Sequence, residues 1–206
     1  MKRLGYLILV IVAAAFVSGC FGSGTKDRLT PKIFGILNSF PDHPLYLKKK
    51  TLVAQHKTAG IESLSVKSQF TEVMTQHLEG KGYLVKVVDD RAALTSGEVD
   101  MLIEIVPRGV FKVEGMYAYG FADRKFLLGL VKQPARSYVA MQLSLRRANS
   151  SRVINTKRQE RFSQLGMDVM PETWDELPEE DKEAFEANLR DNMAKALYLS
   201  LRELKI

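Results

Sequence analysis

The sequence predicts an α+β fold, a mixed α/β architecture in which a single mixed sheet carries two main helices on one face. Three observations support this. Apolar or alternating runs of strand length recur along the chain, bounded by Gly, Pro, Asn and Asp. Two other segments place their apolar side chains at helical spacing. The composition, 206 residues with 46% apolar and 26% charged, is ordinary for one globular domain and excludes both a polytopic membrane protein and a wholly disordered chain.

Lys32 to Phe40 (KIFGILNSF) reads as a buried strand, closed by the turn-forming Pro41-Asp42-His43-Pro44. Leu45 to Val53 is its expected hairpin partner, with Lys48-Lys49-Lys50 at or near an edge, where charge discourages strand association. From Ser65 the period changes: Val66, Phe70, Val73, Met74 and Leu78 define one face of a helix. Ser63 or Ser65 is placed to cap its start, and Gly80 or Gly82 to end it in the left-handed conformation. Tyr83 to Val88 and Met101 to Val106 follow as strands, the second stopped by Pro107. Residues 108–135 form an insert rich in Gly and aromatics. Ser137 to Arg147 then alternates, with Val139, Met141, Leu143 and Leu145 on one side, as a half-buried strand does. Arg152 to Phe162 returns as a more polar partner. Pro178 opens a final helix, with Glu179, Glu180 and Asp181 at its positive end and Arg202 and Lys205 at its negative end. Phe185, Leu189, Met193, Leu197, Leu201 and Leu204 make its buried stripe.

The first twenty residues differ from the rest. Lys2 and Arg3 precede a fourteen-residue apolar run, Leu4 to Val17, and then Ser18, Gly19 and the chain's single cysteine, Cys20. As a helix that run reaches about 21 Å, short of a bilayer core of about 30 Å. It therefore reads as the apolar region of a signal peptide. Val17-Ser18-Gly19-Cys20 resembles a bacterial lipobox. The resemblance implies cleavage before Cys20 and acylation there, palmitate included, typically with three chains. One acyl chain binds a membrane marginally and two or more hold it firmly, at about 0.8 kcal/mol per buried methylene. Phe21, where inner-membrane retention uses Asp, implies the periplasmic face of an outer membrane if the host is Gram-negative. The expected organisation is a lipoprotein signal peptide (1–19), a lipidated tether (20–29), and one periplasmic α/β domain (30–206) with the insert at about 108–135.

The net charge of +6 conceals a split. Residues 20–164 carry 23 Lys and Arg against 13 Asp and Glu, whereas residues 165–206 carry 5 against 11. Two readings are open: a basic body neutralised by the acidic segment packed on it, or a basic face directed at anionic head groups or an acidic partner.

The segment Phe70-Thr-Glu-Val-Met-Thr-Gln-His-Leu-Glu-Gly80-Lys-Gly82-Tyr83-Leu-Val85 is similar to the helix–Gly-Tyr–strand segment of small periplasmic lipoproteins of the YajG type. More loosely, it resembles the mixed α/β domains of the curli-secretion lipoprotein and of the TolB N-terminus. The resemblance covers about residues 30–105 and implies the fold and an accessory role at the envelope. It carries over no catalytic residue, and the insert at 109–130 departs from it.

The chemistry-bearing residues form no catalytic constellation in the sequence. His43, His56 and His77 lack a zinc-type spacing to other ligands. There is no G-x-S-x-G and no Gly-rich phosphate loop, and a lipidated Cys20 is blocked. Asp89-Asp90 beside Arg91 reads as a loop cap. The expectation is a non-enzyme with no metal and no cofactor. An exported, anchored chain also has no occasion to bind nucleic acid, despite a pI near 9.3.

Two contact surfaces are expected instead. Tyr117, Tyr119, Phe121 and Phe126 in the insert combine aromatic rings with flexible glycines. Their alternative is burial as a hairpin against the sheet. Arg146, Arg147, Arg152, Lys157 and Arg158 lie on two adjacent strands and form a candidate basic face for a protein partner, anionic lipid or glycan. The function expected is a non-enzymatic accessory or assembly factor, anchored by lipid, that binds another envelope component. The alternatives are a lipid- or glycan-binding module with a pocket under the insert, and a hydrolase assembled from distant residues.

Overall fold

The computed structural model describes residues 33–49, 56–111, 115–126, 131–148 and 150–206. In chain order they form β1 (Ile33–Asn38), β2 (Leu45–Lys49), β3 (His56–Gly60), α1 (Lys67–Glu79), β4 (Leu84–Val87), α2 (Ala92–Thr95), β5 (Met101–Pro107), β6 (Tyr119–Phe126), β7 (Val131–Arg147), β8 (Ser150–Gln164) and α3 (Glu179–Leu204). This is the expected α+β fold, and its two long helices, α1 and α3, pack on one face of a mixed sheet. Among the described residues no helix is long and apolar enough to cross a membrane. The signal-peptide, Cys20 and tether expectations lie outside the described residues.

The sheet runs in the order β3-β2-β6-β7-β5-β1-β4, with β8 also paired to β7. The seventeen-residue β7 dictates this layout. Its first half pairs with β6, Val131 opposite Phe126 and Val139 opposite Tyr119. Its second half pairs with β5, Met141 opposite Pro107 and Arg147 opposite Met101. β5 and β6 therefore lie end to end along one edge of β7, while β8 follows the other edge. Between them the chain leaves the sheet after Pro107 and returns at Tyr119. Both ends of that excursion close on Ala140, whose carbonyl accepts from the Arg108 N–H at 2.9 Å and whose N–H donates to the Ala118 carbonyl at 2.7 Å.

The expected hairpin between the first two strands is not formed. β1 instead sits between β4 and β5, parallel to both. Its two faces are occupied, Phe34 and Ile36 in the main core and Ile33 and Leu37 against the α2 side, the pattern of an interior parallel strand. β2 crosses to lie parallel to β6 and antiparallel to β3, a strand the sequence reading missed. The turn decides this. Phe40 is buried against Phe70 and Tyr119, with ring centroids 4.3 and 5.5 Å away. The Tyr119 hydroxyl donates to the Pro41 and Asp42 carbonyls at 2.9 and 3.0 Å. The turn is thus fastened to β6, and β2 emerges beside β6 rather than β1.

Every residue of the expected α3 stripe is buried; each such side chain contributes about 1.5–3 kcal/mol relative to exposure. Phe70, Met74 and Leu78 of α1 meet the same core. Gly82, at φ +84°, supplies the left-handed residue after α1, and the Tyr83 N–H reaches back to the Leu78 carbonyl at 3.2 Å. The serine cap is not made. The residue before α1 is Val66 without a side-chain cap, and the Asn38 amide instead donates to the Lys67 carbonyl and Thr71 hydroxyl at 3.0 and 3.2 Å.

Candidate contact surface

On the face of the sheet away from α1 and α3 lies a small second core. Val110 and Met116 of the excursion pack on Leu47, Ala122, Tyr138 and Ala140. These side chains pack together beneath the described part of the insert. The Tyr138 hydroxyl donates to the Tyr117 carbonyl at 3.4 Å, and burial pushes its phenol well above the usual range.

The insert is a composite. Residues 119–126 are β6, and β7 already starts at Val131. Tyr119 and Phe121 are fully buried on the helix side of the sheet. Phe121 stacks on Trp174 at 5.4 Å and meets Phe185 at the same distance. This corrects the expectation that they contact a partner: strand alternation turns both rings inward. Ala118, between them and Tyr117, has φ 58°, and this left-handed step leaves Tyr117 half exposed, at 48%. The Phe126 side chain lies outside the described residues, although its backbone closes β6.

Phe111 is the second exposed ring of the excursion, at 65%. Its N–H donates to both carboxylate oxygens of Glu160 at 3.1 Å. Two residues earlier, the Gly109 carbonyl accepts from Arg158 at 2.7 Å, and Gly109 bridges to Tyr117. Glu160 stands opposite Ala140 on β7, and Phe162 opposite Tyr138, so these β8 side chains share the face carrying the excursion. Phe162 is 40% exposed, with the Arg136 guanidinium 5.6 Å over its ring, a cation–π contact. Arg108 adds a further cation, held by the Gln142 carbonyl oxygen at 2.8 and 3.1 Å. The result is one patch with three exposed rings, Phe111, Tyr117 and Phe162, interleaved with Arg108, Arg136 and Arg158. Only Tyr117 and Arg158 of this set were expected. Phe162 had a signal, as an aromatic ending an otherwise polar strand. Nothing local in the sequence announces that Glu160 holds the Phe111 N–H on the same face.

The basic face is divided rather than continuous. Lys157 pairs with the inward-facing Leu143, while its neighbour Arg158 pairs with Gln142 on the outer face; consecutive strand residues point to opposite sides. Arg146 is engaged by the buried Glu104 at 3.0 Å, together with Arg91. Arg147 and Arg152 are exposed near the β7–β8 turn.

No family model matches the chain, and no curated protein matches it. Solved structures do. Among them is protein XCC0632 from Xanthomonas campestris, described under the family DUF330, at 9% identity and a TM-score of 0.47 over 83% of each chain. At that distance the likeness says nothing of activity.

The other residues considered in the sequence take the following places. The His43 Nδ1 meets the Leu64 carbonyl and the His77 Nε2 the Ile206 carbonyl, each at 3.2 Å. His56 lies in β3. The Asp90 carboxylate accepts the Ala92 N–H at 2.6 Å and so opens α2. No cluster of three or more metal-ligating side chains occurs among the described residues.

Proposed function

We propose that this chain is a lipid-anchored envelope protein without catalytic activity, whose domain binds another envelope component through the outer-face patch. The observation that carries the reading is the pinning of the excursion: Arg158 and Glu160 hold its backbone on β8 while Phe111 and Tyr117 stay exposed beside Phe162. Exposed aromatics interleaved with arginine are what the centre of a recognition surface uses, because both side chains offer large contact area with few freely rotating bonds. The lipobox-like Val17-Ser18-Gly19-Cys20 supplies the anchor. Anchoring would confine the domain to a thin layer and raise its effective concentration at a membrane-borne partner.

One pair of measurements tests this in intact cells. An alkyne palmitate should label the wild-type chain and not Cys20→Ser. A photo-crosslinking residue at Phe111 or Tyr117 should capture a discrete envelope component, and one at the exposed Glu183 should not. Equal capture from both faces sinks the patch; palmitate labelling of Cys20→Ser sinks the anchor.

A further inference from the structure

A cleft of about 340 Å³ opens where β3 and the residues after it meet the turn at Glu172–Asp175. Tyr46 and Trp174 stand edge to face in its floor, centroids 6.2 Å apart, and Ile61 adds an aliphatic wall. Tyr46 gives its hydroxyl proton to the Pro171 carbonyl at 3.0 Å, so the floor offers ring and hydrocarbon surface. The rim is acidic: Glu62, Glu172 and Asp175. Glu172 is matched by Lys48 at 2.9 Å, whereas Glu62 and Asp175 are exposed and carry no ion pair among the described residues. A second groove continues from Trp174 and Asp175 along the start of α3 past Glu179, Glu183 and Glu186. Its one cation, Lys182, is taken by Glu179 at 2.7 Å. Glu186 is paired with Arg190, so Glu62, Asp175 and Glu183 are the carboxylates along the two grooves that carry no ion pair among the described residues, and they leave a negative rim over an apolar floor.

We infer that this cleft binds a linear aliphatic di- or polyamine, its methylenes on Tyr46, Ile61 and Trp174 and its ammonium groups at Glu62 and Asp175. Size decides for a small ligand: the volume sits at the low end of the roughly 300–1,000 Å³ of small-molecule sites. A specific protein partner needs about 800 Å² on each side. Charge complementarity selects the class, since carboxylates above an apolar floor match a cation carried on hydrocarbon and repel phosphate or carboxylate ligands.

Trp174 is the chain's sole tryptophan, so its fluorescence reports on the cleft. Spermidine titrated into the purified full chain at low salt should give a saturable change in emission. Glu62→Gln combined with Asp175→Asn should raise the Kd about tenfold, against less than about twofold for Glu183→Gln. Both cleft carboxylates are exposed, so the double variant should keep the wild-type emission maximum and urea midpoint, which separates lost binding from lost fold. The inference is overturned by no saturable change, by equal binding by the double variant, or by equally tight binding of hexaamminecobalt(III), which has charge without a hydrocarbon chain. A lysine-rich peptide that binds tighter than spermidine overturns it in favour of a protein partner.

Discussion

Arg158 and Glu160 pair at 2.6 Å on the outer face of β8, and together they hold the base of the excursion from the sheet. Arg158 takes the Gly109 carbonyl and Glu160 takes the Phe111 N–H. Strand pairing supports the excursion at its two ends, and these side chains support it further out.

Glu160→Ala removes the acceptor for the Phe111 N–H. Both members of the pair are partly exposed, so water replaces much of what is lost and the expected destabilisation is about 0.5–1.5 kcal/mol. Hydrogen exchange at the Phe111 amide should accelerate while the Ala118 and Ala140 amides stay protected. Unchanged exchange at Phe111 would show that the clamp does not order the excursion.

Gly120→Ala acts through space. A Cβ there would stand 2.0 Å from the Leu45 carbonyl oxygen, because β2 pairs with β6 at that point. The obstacle is backbone and cannot rotate away, so the strands must separate. The expected loss exceeds about 3 kcal/mol, the upper range for overpacking, read as a fall in urea midpoint. Gly60→Ala, where the added carbon meets nothing within 4 Å, is the control.

Glu104 is 2% exposed and lies between Arg146 and Arg91, whose side chains are 16% and 62% exposed. Removing a buried partner leaves a charge uncompensated, whereas an exposed partner is replaced by water. Arg146→Met should therefore cost about 2–4 kcal/mol and Arg91→Met under about 1 kcal/mol. Equal costs would mean that burial does not decide the strength of this cluster.

Three phenols are held above their usual range. Burial is the main cause for Tyr46, with Asp123, Glu176 and Glu172 adding to it, and for Tyr119, with Asp42 adding. Burial is also the cause for Tyr138, partly opposed by its bond to the Tyr117 carbonyl. Unfolded tyrosine ionises near pH 10. Above that pH the unfolded chain sheds protons that the folded chain keeps, so stability is unaffected below about pH 10 and falls as pH rises further. Absorbance at 295 nm should show these three of the seven tyrosines titrating only as the chain unfolds. Reversible ionisation of these three near pH 10, with tertiary structure intact, would contradict the burial.

Much of the architecture was legible. The α3 stripe was read residue for residue, because a helical period needs only local spacing and an apolar face. The α1 face, its Gly82-Tyr83 exit and the alternation of β7 were legible for the same reason. Strand partners were less so. A tight turn was expected from Pro41 to Pro44, but the side chains that redirect it, Phe40 and Tyr119, are 79 positions apart. The candidate site was half legible: Tyr117 and Arg158 were expected, whereas Tyr119 and Phe121 belong to the core and Phe111 and Phe162 to the surface.

The sequence by itself determined the α+β class, the helices and their buried faces, and the positions of the long strands. Each depends on the order of neighbouring residues. Only the tertiary structure decided that β5 and β6 share one edge of β7, that the excursion between them folds onto β8, and that Lys157 and Arg158 serve opposite faces. It also decided that Glu62, Glu172 and Asp175, distant in sequence, line one cleft with Tyr46 and Trp174. These are long-range outcomes, set by which distant surfaces bury the most apolar area and satisfy the most backbone hydrogen bonds, and no local pattern encodes them.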